Sequence, residues 1–290
     1  LRARKEIILT AGSFHSPKLL MLSGIGPGAE LNRHGIVPVH DAPEVGANYQ
    51  YHVGTPVTYR LKENIGYQNA DRGLAALKNG INYFVFRRGL LTSNLLAAGA
   101  CVDTDGDGRP DVQMNFAPFA PGAPGEGPLS CHSFHVHPMT MRPKSRGRLM
   151  LASTDPEDPP KFEAQVLQTE DDLDTLRRGV RLAREICEQP QLKEILSEVI
   201  WPGPDVSTTV GSNTLDDAIR DQARTIYHPA GTCRMGTDTQ AVVDIRLKVN
   251  GVEGLRVADC SVMPMLVSGN TNAPTMMIAD RGADFILEDA

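Results

Sequence analysis

Glycine and proline punctuate this chain so densely that it must fold as short elements joined by many tight turns. Its 290 residues include 27 Gly and 21 Pro, about one position in six; Pro removes a backbone donor and Gly permits turns closed to other residues. The length suggests about two domains. Apolar residues at 41% and charged residues at 22% suit a buried core and exclude a disordered or collagen-like chain. No apolar run approaches the ~18 residues a membrane-spanning helix needs.

The opening reads as one edge of an α/β sheet. KEIILTA (5–11) is a short strand ending at Gly12. Ser16 before Pro17 fits an N-cap followed by the first helical residue, because Pro has no N–H to leave unpaired there. The helix KLLMLSG should stop at Gly24, the Gly-rich stretch 24–28 should form a loop, and AELNRHG should be a second short helix. Further on, PVTYRL (56–61), DVQMNF (111–116) and SRGRLMLA (145–152) alternate apolar with polar residues and predict antiparallel strands. APFAPGAPGEG (117–127) predicts an exposed loop. Thr169 with Asp172, and Thr214 with Asp217, resemble capping boxes that start helices. Behind the first, Leu173, Leu176, Val180, Ala183 and Cys187 recur at helical spacing, as a core-facing stripe does. A last helix should run from about 273 to 287.

Lys and Arg number 29 against 35 Asp and Glu, a net charge of −6, which argues against a nucleic-acid partner. Five unclustered cysteines, Cys101, Cys131, Cys187, Cys233 and Cys260, fit reduced thiols in a cytosolic protein rather than a disulfide framework or a thiolate metal site. Asp103, Asp105, Asp107 and Asp111 imitate the start of a calcium loop, but Met114 stands where the bidentate Glu belongs. His135 and His137 alternate on one strand face beside His132, without an adjacent acid. Neither group predicts a metal.

Three segments near the C-terminus could carry chemistry. YHPAGTCRMG (227–236) presents His228 in a Pro/Gly loop, where catalytic groups are often displayed. GLRVADCSVMP (254–264) ends a short strand at Asp259, a carboxylate able to accept ligand hydroxyls. SGNTNAPT (268–275) puts Asn272 at a helix N-cap with Pro274 in the first turn, where free N–H groups favour anions. Each also fits an ordinary role: packed histidine, turn aspartate, helix cap.

Together, and in this order, these segments resemble the glucose–methanol–choline (GMC) oxidoreductase family. ILTAGSFHSPKLLMLSGIGP (8–27), VGANYQYH (45–52) and RPKSRGRLML (142–151) match in the expected order too, so the resemblance covers nearly the whole chain. It is similar above all to the choline-dehydrogenase-like alcohol dehydrogenase branch. The resemblance implies an α+β or α/β fold: part of an FAD-binding Rossmann-like domain plus an antiparallel-sheet substrate domain with flanking helices. The expected boundaries are 1–54 for the first FAD-domain segment, 55–220 for the substrate domain, and 221–290 for a return to the FAD domain carrying the active site.

The resemblance further implies FAD as cofactor, a small alcohol as substrate, and a quinone-like compound or oxygen as electron acceptor. His228 matches the family's catalytic histidine and Asn272 the second active-site position. Asp259 matches an acid that contacts the flavin. Ala11, Gly12, Ser16 and Pro17 line the same site, with Asn270, Thr271, Asn272 and Pro274. The reaction implied is oxidation of the alcohol to an aldehyde or ketone, by proton abstraction and hydride transfer to flavin N5. The chain departs from the pattern at Tyr51, where the family usually has Asp, and at Ala97, where choline enzymes usually carry Glu; without that anion choline is disfavoured. The family's Gly-x-Gly-x-x-Gly turn is absent from these residues, and the opening at Leu1 reads as entry into the C-terminal part of a longer protein. Two alternatives follow: a catalytically silent fragment that needs a dinucleotide-binding half, and a lyase on the same scaffold. The expected location is the cytoplasm, with peripheral attachment at the inner membrane as the other option.

Overall fold

The computed structural model describes residues 3–122, 125, 127, 129–209 and 212–289. In chain order the elements are β1 (Ile7–Leu9), α1 (Gly12–Leu22), β2 (Ile25–Gly26), α2 (Gly28–Arg33) and β3 (His40–Asp41); β4 (Val53–Gly54), β5 (Val57–Leu61), α3 (Gly73–Phe86), β6 (Ala98–Val102), β7 (Val112–Ala117) and β8 (Ser133–Thr140); β9 (Arg148–Met150) and β10 (Lys161–Glu163); α4 (Glu170–Cys187), α5 (Pro190–Lys193), β11 (Leu196–Trp201), α6 (Asn213–Gln222) and β12 (Arg224–Thr225); then β13 (Leu255–Val257) and α7 (Asn272–Glu288). No helix among the described residues is long and apolar enough to cross a membrane.

The chain divides into two compact units. The first joins Leu1–His52, Arg142–Thr169 and Thr225–Ala290; the second joins Val53–Met141 and Glu170–Arg224. The sequence groups 55–220 together, whereas 142–169 cluster with the first unit. The cause is pairing and burial. Tyr49 and Gly147 exchange both backbone hydrogen bonds at 2.9 Å, and Leu149 and Leu151 enter the first unit's core.

In the second unit the antiparallel strands run in the order β6-β7-β8-β5-β11. Helix α4 packs against β8, β7 and β5 through the predicted stripe Leu173, Leu176, Val180, Ala183 and Cys187, all buried. Ion pairs join α4 to α6: Arg177 donates to both carboxylate oxygens of Asp216 and also meets Asp174. The second predicted capping box does not form. Helix α6 starts at Asn213, after Ser212, and Thr214 lies inside it with its hydroxyl against that of Ser212. The loop expected to be exposed over 117–127 is partly interior: Ala117 ends β7, and Ala120 and Gly122 are buried. Ala123, Pro124 and Glu126 lie outside the described residues. The acids of 103–107 fold their own loop, accepting backbone N–H groups from Gly106, Gly108, Asp107 and Arg109.

The first unit is built on β1 and β13, paired parallel with Ile8 opposite Arg256. The Arg256 guanidinium is 2% exposed and is satisfied by Glu6 at 2.7 Å, Asp289 at 2.6 Å and the Arg246 carbonyl at 2.8 Å. Leu20, Met21, Leu31, Val45, Val243, Val257 and Val262 fill the core beneath. Helix α1 begins earlier than predicted: Ala11 precedes it, and Ser16 and Pro17 lie within it. Ser16 is therefore not the N-cap of α1. Its hydroxyl instead serves a distant acid, as described below.

Burial also sets a pH limit on the second unit. His135 and His137 are both interior on β8. Desolvation lowers the pKa of His135 to about 4 and pushes His137 the same way. Unfolded histidine titrates near ~6.5, so below that pH the unfolded chain binds protons that the folded chain refuses, and stability falls as pH drops. For His135 the loss between pH ~6.5 and ~4 is on the order of 3 kcal/mol. Denaturant midpoints measured across this range should fall with pH, and His135→Gln should flatten the slope; an unchanged slope in the variant would refute the assignment.

Candidate active site

The site elements all belong to the first unit. Strand β13 ends at Val257, and past Ala258 comes Asp259, the cap of a 3-10 turn, Cys260–Val262. The Asp259 side chain is 4% exposed. Its Oδ1 accepts the Ser261 N–H at 2.8 Å, and its Oδ2 accepts the Gly12 N–H at 2.9 Å and the Ser16 hydroxyl at 2.6 Å. Ser16 Oγ in turn accepts the Ala11 N–H at 3.1 Å. A carboxylate 243 residues from Ser16 therefore caps α1, which is why the helix can open on Gly12 without a local capping residue. Gly12 has φ +77° and open space where a Cβ would stand, a conformation that favours glycine.

Pro17 supplies the next link. Inside α1 it has no N–H for the Ser13 carbonyl four residues back. The Thr232 hydroxyl takes that carbonyl at 2.7 Å, and the Ser13 hydroxyl donates to the Pro229 carbonyl at 2.8 Å. Residues 229–235 are thereby laced to α1. They are also tied to the Asp259 turn through Cys233 N–H to Ser261 O and Met235 N–H to Val262 O, both 2.8 Å.

This lacing presents His228. Tyr227, 87% exposed, has φ +65°, a left-handed conformation uncommon for a bulky residue and recurrent at functional sites. Past it, His228 is half-buried, and desolvation lowers its pKa below the usual 6.5. Its Nδ1 lies 3.0 Å from Nδ1 of His52, and its Nε2 lies 3.4 Å from Nδ2 of Asn270. Gly231, at φ +91°, lets the loop pass over Asn48: a Cβ there would stand 2.5 Å from the Asn48 carbonyl oxygen.

The sequence-derived residues thus fall into three groups. Ala11, Gly12, Ser16 and Asp259 form one hydrogen-bonded cluster, with Pro17 behind it in α1. His228 is joined by Asn270. Thr271 precedes α7, while Asn272, expected as its cap, is its exposed first residue with Pro274 in the first turn. The asparagine whose amide meets His228 is Asn270. Tyr51, flagged as a departure, is buried beside Tyr49, and desolvation raises its pKa. His52 carries no local signal of its own beyond standing at the end of VGANYQYH.

Comparison with known proteins identifies the family. Residues 1–54 and 143–279 match the N- and C-terminal regions of GMC oxidoreductase. The chain is 39% identical over 287 residues to an alcohol dehydrogenase [acceptor] of Pseudomonas putida, covering 97% of this chain and 51% of that one. It is 39% identical over 287 residues to an oxygen-dependent choline dehydrogenase of Chromohalobacter salexigens, covering 98% and 51%. It therefore spans about half the length of these curated relatives. Among solved structures, it resembles a formate oxidase of Aspergillus oryzae with TM-score 0.87 and 28% identity, over 99% of this chain and 55% of that one. Pyridoxine 4-oxidase from Mesorbium loti gives TM-score 0.82 and 26% identity, over 96% and 50%.

The Pro17–Thr232 compensation is open to a double-mutant cycle. Thr232→Val should destabilise the protein by about 1–3 kcal/mol, the cost of a buried unpaired carbonyl. In a Pro17→Ala background, where an N–H is restored to α1, the same substitution should cost measurably less. Equal losses in the two backgrounds would break the link.

Proposed function

The chain belongs to the GMC oxidoreductase family, and from that premise we propose that it supplies the flavin-ring and substrate side of an FAD-dependent oxidase or dehydrogenase of a primary or secondary alcohol. The observation that carries this reading is His228: a half-buried imidazole, with Nδ1 engaged by His52 and an amide beside Nε2, in the same unit as the Asp259 cluster.

The residues present fit FAD in part. A carboxylate offers about four acceptor positions. Asp259 uses three within the protein, leaving one for a ribityl hydroxyl. Gly12 leaves open space at the turn into α1, and the first turn of α7 offers N–H groups at its positive end. Thr271 stands at that end, with Asn270 and Pro274 on either side. The pyrophosphate would need a Gly-x-Gly-x-x-Gly turn, which these residues do not contain. When bound, FAD supplies the two-electron acceptor for the carbon-bound hydrogen.

Burial keeps His228 neutral near pH 7 and so able to take the alcohol's hydroxyl proton. An asparagine amide, Asn272 in the family pattern and Asn270 by proximity, donates a hydrogen bond to the oxygen as it gains charge. The family pattern, in which Ala97 stands where choline enzymes usually carry Glu, favours an uncharged alcohol over choline. The electron acceptor is a quinone-like compound or oxygen.

His228→Ala, in the full-length flavin-loaded protein, should slow alcohol-dependent flavin reduction ~10²–10⁴-fold while FAD stays bound. Asn272→Ala and Asn270→Ala should separate the two amides: the one that contacts the reacting oxygen should cost up to ~10²–10³-fold. Stopped-flow reduction at wild-type speed in His228→Ala would overturn the assignment of the base.

One observation favours a second reading, in which these residues are silent without a dinucleotide-binding half. Ile7 and Ile8 of β1 are 53% and 40% exposed, and β1 pairs only with β13 among the described strands, an apolar edge that invites another strand. On this reading the isolated chain should bind FAD weakly and oxidise no alcohol when titrated by flavin fluorescence. Tight stoichiometric binding with alcohol-dependent bleaching would refute it.

A further inference from the structure

We propose that His52 is a positioning residue that fixes the tautomer and ring orientation of His228. The proposal rests on the reading of His228 as base, but its geometry stands by itself. His52 is 1% exposed, and its Nδ1 lies 3.0 Å from Nδ1 of His228, with the rings crossed at 86°.

Strand register brings the two together. Gln50 and Ala230 pair antiparallel and exchange both backbone hydrogen bonds at 3.0 Å. Two residues further on one side and two back on the other are His52 and His228, the next pair on the same face of the ladder. The register is pinned by side chains. The Gln50 amide spans the Pro264 carbonyl and the Leu266 N–H, and Asn48 Nδ2 donates to the Gly231 and Pro264 carbonyls. A one-residue slip would turn both imidazoles to opposite faces.

The contact then decides where protons sit. Two neutral imidazoles meeting through Nδ1 share one proton, so one ring is the Nδ1–H tautomer and the other the Nε2–H tautomer. Asn270 Nδ2 is a donor and faces Nε2 of His228, so that nitrogen is the acceptor. The proton of His228 therefore sits on Nδ1 and is donated to Nδ1 of His52, whose own proton is on Nε2. The lone pair of His228 Nε2, met here only by the Asn270 amide at 3.4 Å, is the one a substrate hydroxyl would take over. When Nε2 takes that proton, the imidazolium keeps its Nδ1–H bond to a neutral acceptor. His52 thus holds the place that an orienting carboxylate holds in other dyads, without adding a charge.

The test is made in the full-length, flavin-loaded protein. NMR of isotope-labelled histidine should find neutral His228 in the Nδ1–H form. His52→Leu, which removes the acceptor, should move it toward Nε2–H and lower kcat roughly tenfold or more with KM little changed. His52→Asn, whose Oδ1 can accept the same N–H, should keep the tautomer and recover most of kcat. Wild-type His228 in the Nε2–H form, or His52→Leu with tautomer and kcat intact, would overturn the proposal. Should His52→Leu fail to fold, the wild-type spectrum and His52→Asn decide it. Failure of the base reading is a separate result, a His228→Ala protein of full activity, and leaves the tautomer measurement meaningful.

Discussion

The Asp259 carboxylate is the joint on which the first unit depends. It is buried and accepts three hydrogen bonds: two from the opening turns of α1 and one from the turn it caps. Hydrogen bonds to an ionised group contribute roughly 1.5–3 kcal/mol each. The two to α1 span more than 240 residues of sequence, so they also fix where the chain's opening meets its close. With α1 anchored there, the parallel pair β1–β13 has its register, and Gly12 comes to face open space.

A defect in α1 extends the same joint. Pro17 would ordinarily weaken a helix interior, since it leaves the Ser13 carbonyl without its partner. The Thr232 hydroxyl fills that vacancy, and so converts a local fault into an attachment point for the loop carrying His228. The strain of that loop is concentrated in Tyr227, whose left-handed backbone turns the chain into the histidine. Function and packing share the same few bonds here, so a substitution chosen to test the chemistry must be checked for stability as well.

Much of the fold was legible locally. The stripe Leu173 to Cys187 repeats at helical spacing, and all five residues are buried in α4, because a helix on a sheet must bury one face. PVTYRL and DVQMNF alternate and are strands β5 and β7. The misreadings share one cause. Ser16 and Thr214 have the right chemistry for local caps, but both lie inside helices, because the capping of α1 comes from Asp259 and α6 starts one residue before Thr214. In the same way, residues 145–152 alternate like the middle region, but the pairing of Gly147 with Tyr49 and the burial of Leu149 and Leu151 draw 142–169 to the first unit.

By itself the sequence determined elements such as β5, β7 and α4, the family, and the presence of His228, Asp259 and the asparagine segment in Gly/Pro-rich surroundings. These follow from periodicity, turn chemistry and ordered motifs, all of which are local. Only the tertiary structure decided that Asp259 holds Gly12 and Ser16, that Asn270 is the amide beside His228, and that His52 stands against its other nitrogen. Such hydrogen bonds join positions 42 to 247 residues apart. No spacing rule encodes them, because chain separation carries no information about which polar groups burial will force to meet.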